Sequence, residues 1–453
     1  MLLVPSFAEL LGPFAQVMTE PTFQSFTQLL SGWLLAGRHT VTGAIKLAGP
    51  APAKHFSSYH RVFSQARWDL NALGLLWLEV LLAWAGPVVY LVIDDTLCHH
   101  RGRHIFGAGM HYDPELTGRQ LSNASRANAP KTLKRRGHAW VVLGVVLTFP
   151  FFPDHHYGLP VLFGLYLNTK TAAKCRRVYK TRPELALELL TAVCQRFSQR
   201  HFHVLVDSAY AGQHLLKGLP KNCALTARWI AHPALYGPAL APRPGQNGRP
   251  RVHGPRLDSV ETMLQGRCQQ AALDVYGKHA TYRLATVLAC FFATPHTLLR
   301  IVAAEPLSAS SRPQPKHRAV FYSTCLDLSA AEVIQVYALR WSLEVAFHDA
   351  KGFLGLEEPQ GTCRRTVERH APVLGLLYGM VVVWFARHGH VRWRPTRWPW
   401  YLRKTDPSFA DMLTALRQAT LRQRFCRFLE NPTTPQVLQN PFRKLLRLWK
   451  RAA

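Results

Sequence analysis

The sequence predicts an α/β protein, with a mixed sheet in the middle of the chain and helical segments before and after it. Three observations carry that expectation. Up to residue 85, apolar side chains recur at spacings of three and four, the period of a helix with one buried face. From residue 86, runs of β-branched and apolar residues take over, in the order strand, loop, two strands, helix, strand. After residue 370 the helical pattern returns, and the chain closes on the basic NPFRKLLRLWKRAA.

In chain order, SFAELLGPFAQVM, PTFQSFTQLLSGWLLAG and LNALGLLWLEVLLAWA read as helices, with the basic, aromatic KHFSSYHRVFSQARWD (54–69) before the last. That stretch suits either a DNA-contacting helix or a helix packed in a small bundle. PVVYLVIDD (87–95), HAWVVLGVVLTF (138–149) and GLPVLFGLYLN (158–168) read as strands, and RPELALELLTAVCQRFSQ (182–199) as an amphipathic helix. HFHVLVDSAYAG (201–212) is a further strand ending in Asp. HPALYGPALAPRPGQNGRPRVHGPR (232–256) is rich in turn formers and poor in apolar anchors, so an extended loop is expected. Residues 273–292 and 296–306 read as strands. A strand and then a helix starting near Ser329 follow, and YALRWSLEVAFHDAK (337–351) reads as helix.

Composition narrows the class. The 453 residues allow two or three domains, and 48% hydrophobic content supplies a substantial core. Lys and Arg number 55 against 26 Asp and Glu, a net charge of +29 with pI near 10.3. Such an excess points to a polyanion, nucleic acid first, because neutralising phosphates releases counterions. Nine scattered Cys without a CxxC pair argue against a disulfide framework and a zinc ribbon, and fit a reducing cytoplasm. No basic stretch precedes an apolar run at the N-terminus, so no signal peptide is expected. Residues 72–93 are long enough to cross a bilayer, but Glu79 and Gly86-Pro87 interrupt them; together with 371–386 they are expected in the core, not in a membrane.

With acids so scarce, their placement is informative. Asp94 and Asp95 end one predicted strand, Asp207 ends another, and Glu344 lies on a predicted helix. Strand ends in an α/β sheet are where ligands and metals bind, although a strand-end Asp such as Asp207 also suits a turn or helix cap. At ~100° per residue, Tyr337, Arg340, Glu344 and Lys351 fall within a stripe about 60° wide, with His348 beside it. Mixed charge on one stripe suits a solvated salt-bridge face or one wall of an active site.

These residues resemble the DDE transposases of bacterial insertion sequences, in the group named for a Y-x(2)-R-x(3)-E-x(6)-K signature. Tyr337, Arg340, Glu344 and Lys351 match that spacing without a gap. IDDT (93–96) resembles the first-Asp motif, and VDSAYAG (206–212) the second, Asp-Ser-x-Tyr. The resemblance covers roughly residues 85–370. It implies a ribonuclease H-like mixed-sheet catalytic core over about 86–370, with a β-rich insertion at about 220–315. Flanking it would be a helical DNA-binding region over 1–85 and a helical basic region over 371–453.

Carried over, Asp207 and Glu344 would be catalytic metal ligands. The spacing to Thr96 selects Asp94 as the first, with Asp95, on the opposite face of the strand, as the alternative. The ions would be a Mg2+ pair, for which Mn2+ can substitute. Arg340 and Lys351 would grip phosphates and Tyr337 would hydrogen-bond one. Trp341 and Trp229 are candidates for stacking on an unpaired base, with core packing as the alternative. Arg249 and Arg251 in GRPRVHG suit a phosphate-contacting loop. LCHHRGRH (97–104) fits no standard zinc spacing and reads as a basic loop beside the site.

The activity so implied is cleavage and strand transfer at the element's terminal inverted repeats. Double-stranded DNA, at element ends and target, would be the partner, with a homodimer in the synaptic complex. The expected location is the bacterial cytoplasm, associated with the nucleoid. A nuclease that cuts without joining, and an inactive DNA-binding derivative, are the alternatives.

Overall fold

The β-branched runs assemble into one sheet, and the apolar faces of the helices close over it. The structure is a computed structural model, and it describes residues 3–48, 54–102, 104–113, 134–239, 251–266, 268–275, 277–307, 317–395 and 404–430. Helices α1 (Pro5–Leu11), α2 (Glu20–Leu35), α3 (Val41–Leu47), α4 (Phe56–Ser64) and α5 (Leu70–Leu81) come first. Strands β1 (Val88–His99), β2 (Gly109–Tyr112), β3 (Lys134–Phe149) and β4 (Phe152–Tyr166) follow. Next come α6 (Thr169–Lys174), α7 (Arg182–Arg196), β5 (His201–Val206), α8 (Gln213–Gly218), β6 (Cys223–Arg228) and β7 (Leu235–Tyr236). After α9 (Val260–Gln265), β8 (Gln269–Val275), β9 (Lys278–Phe291), β10 (Thr294–Pro306) and β11 (Ala319–Ser323), the chain turns helical again. The last helices are α10 (Ala330–Ala338), α11 (Trp341–Leu354), α12 (Arg364–Trp384) and α13 (Phe409–Glu430).

The sheet has eleven strands in the order β2-β3-β1-β5-β6-β11-β10-β9-β7, with β4 added on β3 and β8 on β9. β3 runs antiparallel to both β4 and β1, whereas β1, β5 and β6 are parallel and need helical crossovers. This mixed α/β arrangement, flanked by helices, is consistent with a ribonuclease H-like core. The strands after β6 do not form a separate sheet. β11 pairs with β6, and β10, β9 and β8 extend the same sheet by antiparallel pairing. Residues 273–292 form not one strand but parts of β8 and β9, because the chain reverses at Gly277, whose φ of +71° suits a residue without Cβ.

α12 is the central pillar. Leu374, Leu377, Met380, Val381 and Val383 are all buried, and each such side chain contributes ~1.5–3 kcal/mol relative to exposure. Residues Arg364–Gly389 are long and apolar enough to cross a membrane, but 94% of their apolar window is buried inside the protein. Leu70–Trp84 is a shorter apolar helix. Gly375 lets α12 sit on Phe163 of β4, and Gly379 lets Trp77 of α5 approach. A smaller cluster, with Val302, Phe321, Val333, Ile334 and Tyr337, seals α10 onto the far half of the sheet.

Residues 337–351 are not one helix. α10 ends at Ala338 and α11 starts at Trp341. Between them the amides of Leu339, Arg340, Ser342 and Leu343 each bond a carbonyl three residues back, and the Ser342 hydroxyl takes the Leu339 carbonyl at 2.7 Å. This tight turn lets α11 dock on β4, where Gly158 touches the backbone of Ser342 and Leu343. The helix period continues through the break in the sequence, so spacing alone hides it. α10 starts at Ser329 in a full capping box with Glu332, the start expected from sequence.

Candidate active site

Pairing between parallel β1 and β5 ends at Ile93–Val206, and β1 continues to His99 along β3. Asp94 and Asp207 therefore each follow the last paired residue of two neighbouring parallel strands, at the carboxyl end where ligands bind in α/β sheets. Side chains alternate along β1. Asp94 shares a face with Gly144 of β3, against which Leu343 of α11 packs. Asp95 faces the other way.

On the α11 face, Arg340 joins two carboxylates. Its Nη1 donates to Asp94 Oδ2, and its Nη2 donates to Glu344 Oε1 at 2.6 Å. The Arg340 and Asp94 side chains are 11% and 10% exposed, Glu344 32%. Arg340 Nε is buried without a partner. Burial pushes the Asp94 carboxyl up to about 7, against the opposing pull of Arg340. For Arg340 burial works against the charge, but Asp94, Tyr337 and Glu344 outweigh it and hold the guanidinium protonated. A second hydrogen bond from the Asp95 amide to Asp94 Oδ1, at 2.9 Å, orients the carboxylate.

On the other face, Asp95 accepts a hydrogen bond from Tyr210 Oη at 3.3 Å and pairs with Arg182 of α7 at 3.4 Å. Arg182 also lies over the Tyr166 ring, 5.0 Å from its centroid. Burial raises the Asp95 carboxyl; Arg182 opposes that, and the charge of Asp207 adds to it. Asp207 Oδ1 accepts the Ala209 amide at 2.9 Å, so this carboxylate also closes the turn after β5.

The remaining candidates divide. Lys351 Nζ donates to the Leu97 carbonyl at 2.8 Å and lies 3.6 Å from Glu357, which ties the end of α11 to β1 beyond Asp94. Trp341 is 48% exposed at the start of α11. Tyr337 is buried against Phe321, with the Arg340 guanidinium 5.8 Å from its ring centroid, so it does not share a solvent stripe with the others. The helix break before Arg340 is the reason. His348 is exposed beside Asp349. Trp229 is a core residue between Phe291 and Tyr322, at 5.3 and 5.1 Å, and offers no stacking face. Arg251 is exposed in its loop; Arg249 lies outside the described residues. Of the stretch 97–104, expected as a loop, Leu97, Cys98 and His99 are instead the end of β1, and His99 sits between Asp113 and Glu357, both at 3.1 Å.

Among the described residues no three His, Cys, Asp or Glu side chains converge as a ready metal cluster. The Asp94–Glu344 pair nevertheless fits a divalent cation. Both are hard oxygen donors, and a guanidinium already supplies positive charge between them. Sequence reasoning missed Arg182. It is the first residue of α7, after the Thr181 cap, and nothing in its local pattern points to a strand 87 positions earlier.

A model of the family described as DDE superfamily endonuclease matches residues 13–284, more than half of the chain, and the chain belongs to that family. The matched region holds Asp94, Asp95 and Asp207 and ends before Glu344, which geometry alone brings to Asp94. No curated protein matches the chain.

Proposed function

We propose that this DDE superfamily endonuclease is the transposase of a bacterial insertion sequence of the Y-R-E-K signature group, acting on its terminal inverted repeats. The observation that carries the reading is the convergence of Asp94, from a strand end, and Glu344, from a helix 250 residues later, on one guanidinium. In a chain this short of acids, one guanidinium holds both a buried carboxylate, Asp94, and a partly exposed one, Glu344. A site that concentrates negative charge beside basic surface suits phosphodiester chemistry.

In this reading Asp94 and Glu344, joined by Asp207 from the end of β5, whose charge reaches Asp95, would hold Mg2+ or Mn2+, which supplies Lewis acidity at the scissile phosphate when bound. Asp94 is preferred to Asp95 because it faces Glu344. Arg340 and Lys351 neutralise phosphates next to the cut, Trp341 presents an exposed ring to the DNA, and Arg251, with Arg249, contacts the backbone from its loop. Residues 1–85 and 371–453 supply further DNA contacts and the dimer interface of the synaptic complex, in the nucleoid-associated cytoplasm.

The test is joining. Pre-cut element ends with a free 3′-OH, incubated with the protein, Mg2+ and a plasmid target, should give covalently joined products. Cleavage of uncut ends without any joining would reduce the protein to a nuclease and refute the transposase reading.

A further inference from the structure

The Arg340 guanidinium has two jobs that exclude one another. In the structure, its Nη1 bonds Asp94 and its Nη2 bonds Glu344, and Nε is buried and unpartnered. The proposed function requires the same group to hold a DNA phosphate. A guanidinium forked onto two carboxylates cannot present that fork to a phosphate. A divalent cation on those same carboxylate oxygens would also meet the positive guanidinium at contact distance, and the two repel.

The position of Arg340 allows an exchange. It lies at the turn between α10 and α11, as the N-cap residue of α11, and one of its two partners, Glu344, is partly exposed. Asp94, by contrast, is fixed on a central strand and held by the Asp95 amide. Movement is therefore assigned to the arginine and not to the acid.

We propose that Arg340 is a substrate-gated plug: in the DNA-free protein it occupies the cation position between Asp94 and Glu344, and a DNA phosphate draws it away and opens the carboxylates to a divalent cation. This rests on the reading of Asp94 and Glu344 as metal ligands. Linkage then makes the coupling reciprocal, so DNA tightens cation binding by the same factor that the cation tightens DNA binding. The site is loaded only when substrate is present.

The experiment is Mn2+ titration of the full-length, DNA-free protein, followed by the loss of the free-ion electron paramagnetic resonance signal. Arg340→Met keeps the alkyl stem and removes the plug. It should bind Mn2+ at least tenfold more tightly than wild type, and the added change Glu344→Gln should cancel the gain. Equal affinity in wild type and a folded Arg340→Met overturns the proposal. If Arg340→Met does not fold, wild type decides alone: a generic duplex oligonucleotide should tighten Mn2+ binding fivefold or more, with no such effect in Glu344→Gln. No tightening by the duplex overturns the proposal equally. Tighter Mn2+ binding by Arg340→Met in a protein that never joins DNA ends would leave the plug standing and remove the transposase reading. Joining without any change in Mn2+ binding would do the reverse.

Discussion

Gly158 on β4 sets the position of the helix that carries Glu344, and replacing it with Ala gives a sharp test of that claim. A Cβ at Gly158 would lie 2.5 Å from the Leu343 amide nitrogen, 2.6 Å from the Ser342 carbonyl carbon and 2.7 Å from the Ser342 hydroxyl. Two of these atoms are backbone, so no rotamer change relieves the clash. To reach an ordinary contact of 3.4 Å, the first turn of α11 must shift by close to an ångström. Overpacking of this kind costs ~1–3 kcal/mol. Misplacing catalytic groups by ~1 Å costs on the order of 100-fold in rate. Gly164, six residues along the same strand, is the matched control: a Cβ there meets only Leu185 and Leu189, at 3.6 Å and beyond. Chemical unfolding and Mg2+-dependent cleavage of an end-bearing duplex should both report damage in Gly158→Ala and little in Gly164→Ala. Equal behaviour of the two variants would refute the argument that close docking of α11 on β4 positions Glu344.

Two further outcomes follow from the packing around α12 and α11. His370 is buried between Phe63 and Trp33, at ring separations of 4.5 and 4.8 Å, with neither ring nitrogen partnered, and burial pulls its pKa down to about 3. Its folded pKa lies below the unfolded value of about 6.5, so the unfolded chain binds the extra proton and stability falls as pH drops below that value. Wild type should lose ~2 kcal/mol more than His370→Phe between pH 7 and pH 5 in urea unfolding; parallel curves would show that the ring takes up its proton equally in the folded and unfolded states. Gly355 ends α11 with φ +66°, and a Cβ there would lie 2.5 Å from His39 Cβ. Gly355→Ala should cost ~1–3 kcal/mol, from backbone strain and clash together, in the same assay; an unchanged midpoint would contradict the left-handed cap.

Much of this architecture is legible in the chain because it rests on local pattern. The β-branched runs at 87–95, 138–149 and 158–168 announce the strands, though not the extension of β1 to His99, and the Ser329 cap announces α10. Strand alternation already sets Asp94 and Asp95 on opposite faces, and helical spacing sets Arg340 beside Glu344, where the structure has them paired. What stays hidden is long-range or non-periodic. The turn at Leu339–Arg340 leaves the apolar period intact, so Tyr337 reads as a solvent-facing residue although it is buried. The Arg182–Asp95 pair joins distant segments, and no local propensity encodes it. Reading Arg340 as a phosphate ligand overlooked the nearer carboxylate, because spacing along one helix says nothing about the strand opposite.

The central claim is that Glu344 acts with Asp94 as a cation-holding pair in DNA cleavage. The direct measurement is cleavage of a labelled duplex carrying the element's own end, with Mg2+, by wild type, Glu344→Gln, Asp94→Asn and Asp95→Asn, each checked for normal binding to that end. The account predicts nicking at the element boundary by wild type. Glu344→Gln and Asp94→Asn should bind without cutting, and Asp95→Asn should retain cleavage. Cutting by Glu344→Gln at the wild-type rate, or loss of cleavage confined to Asp95→Asn, would contradict it.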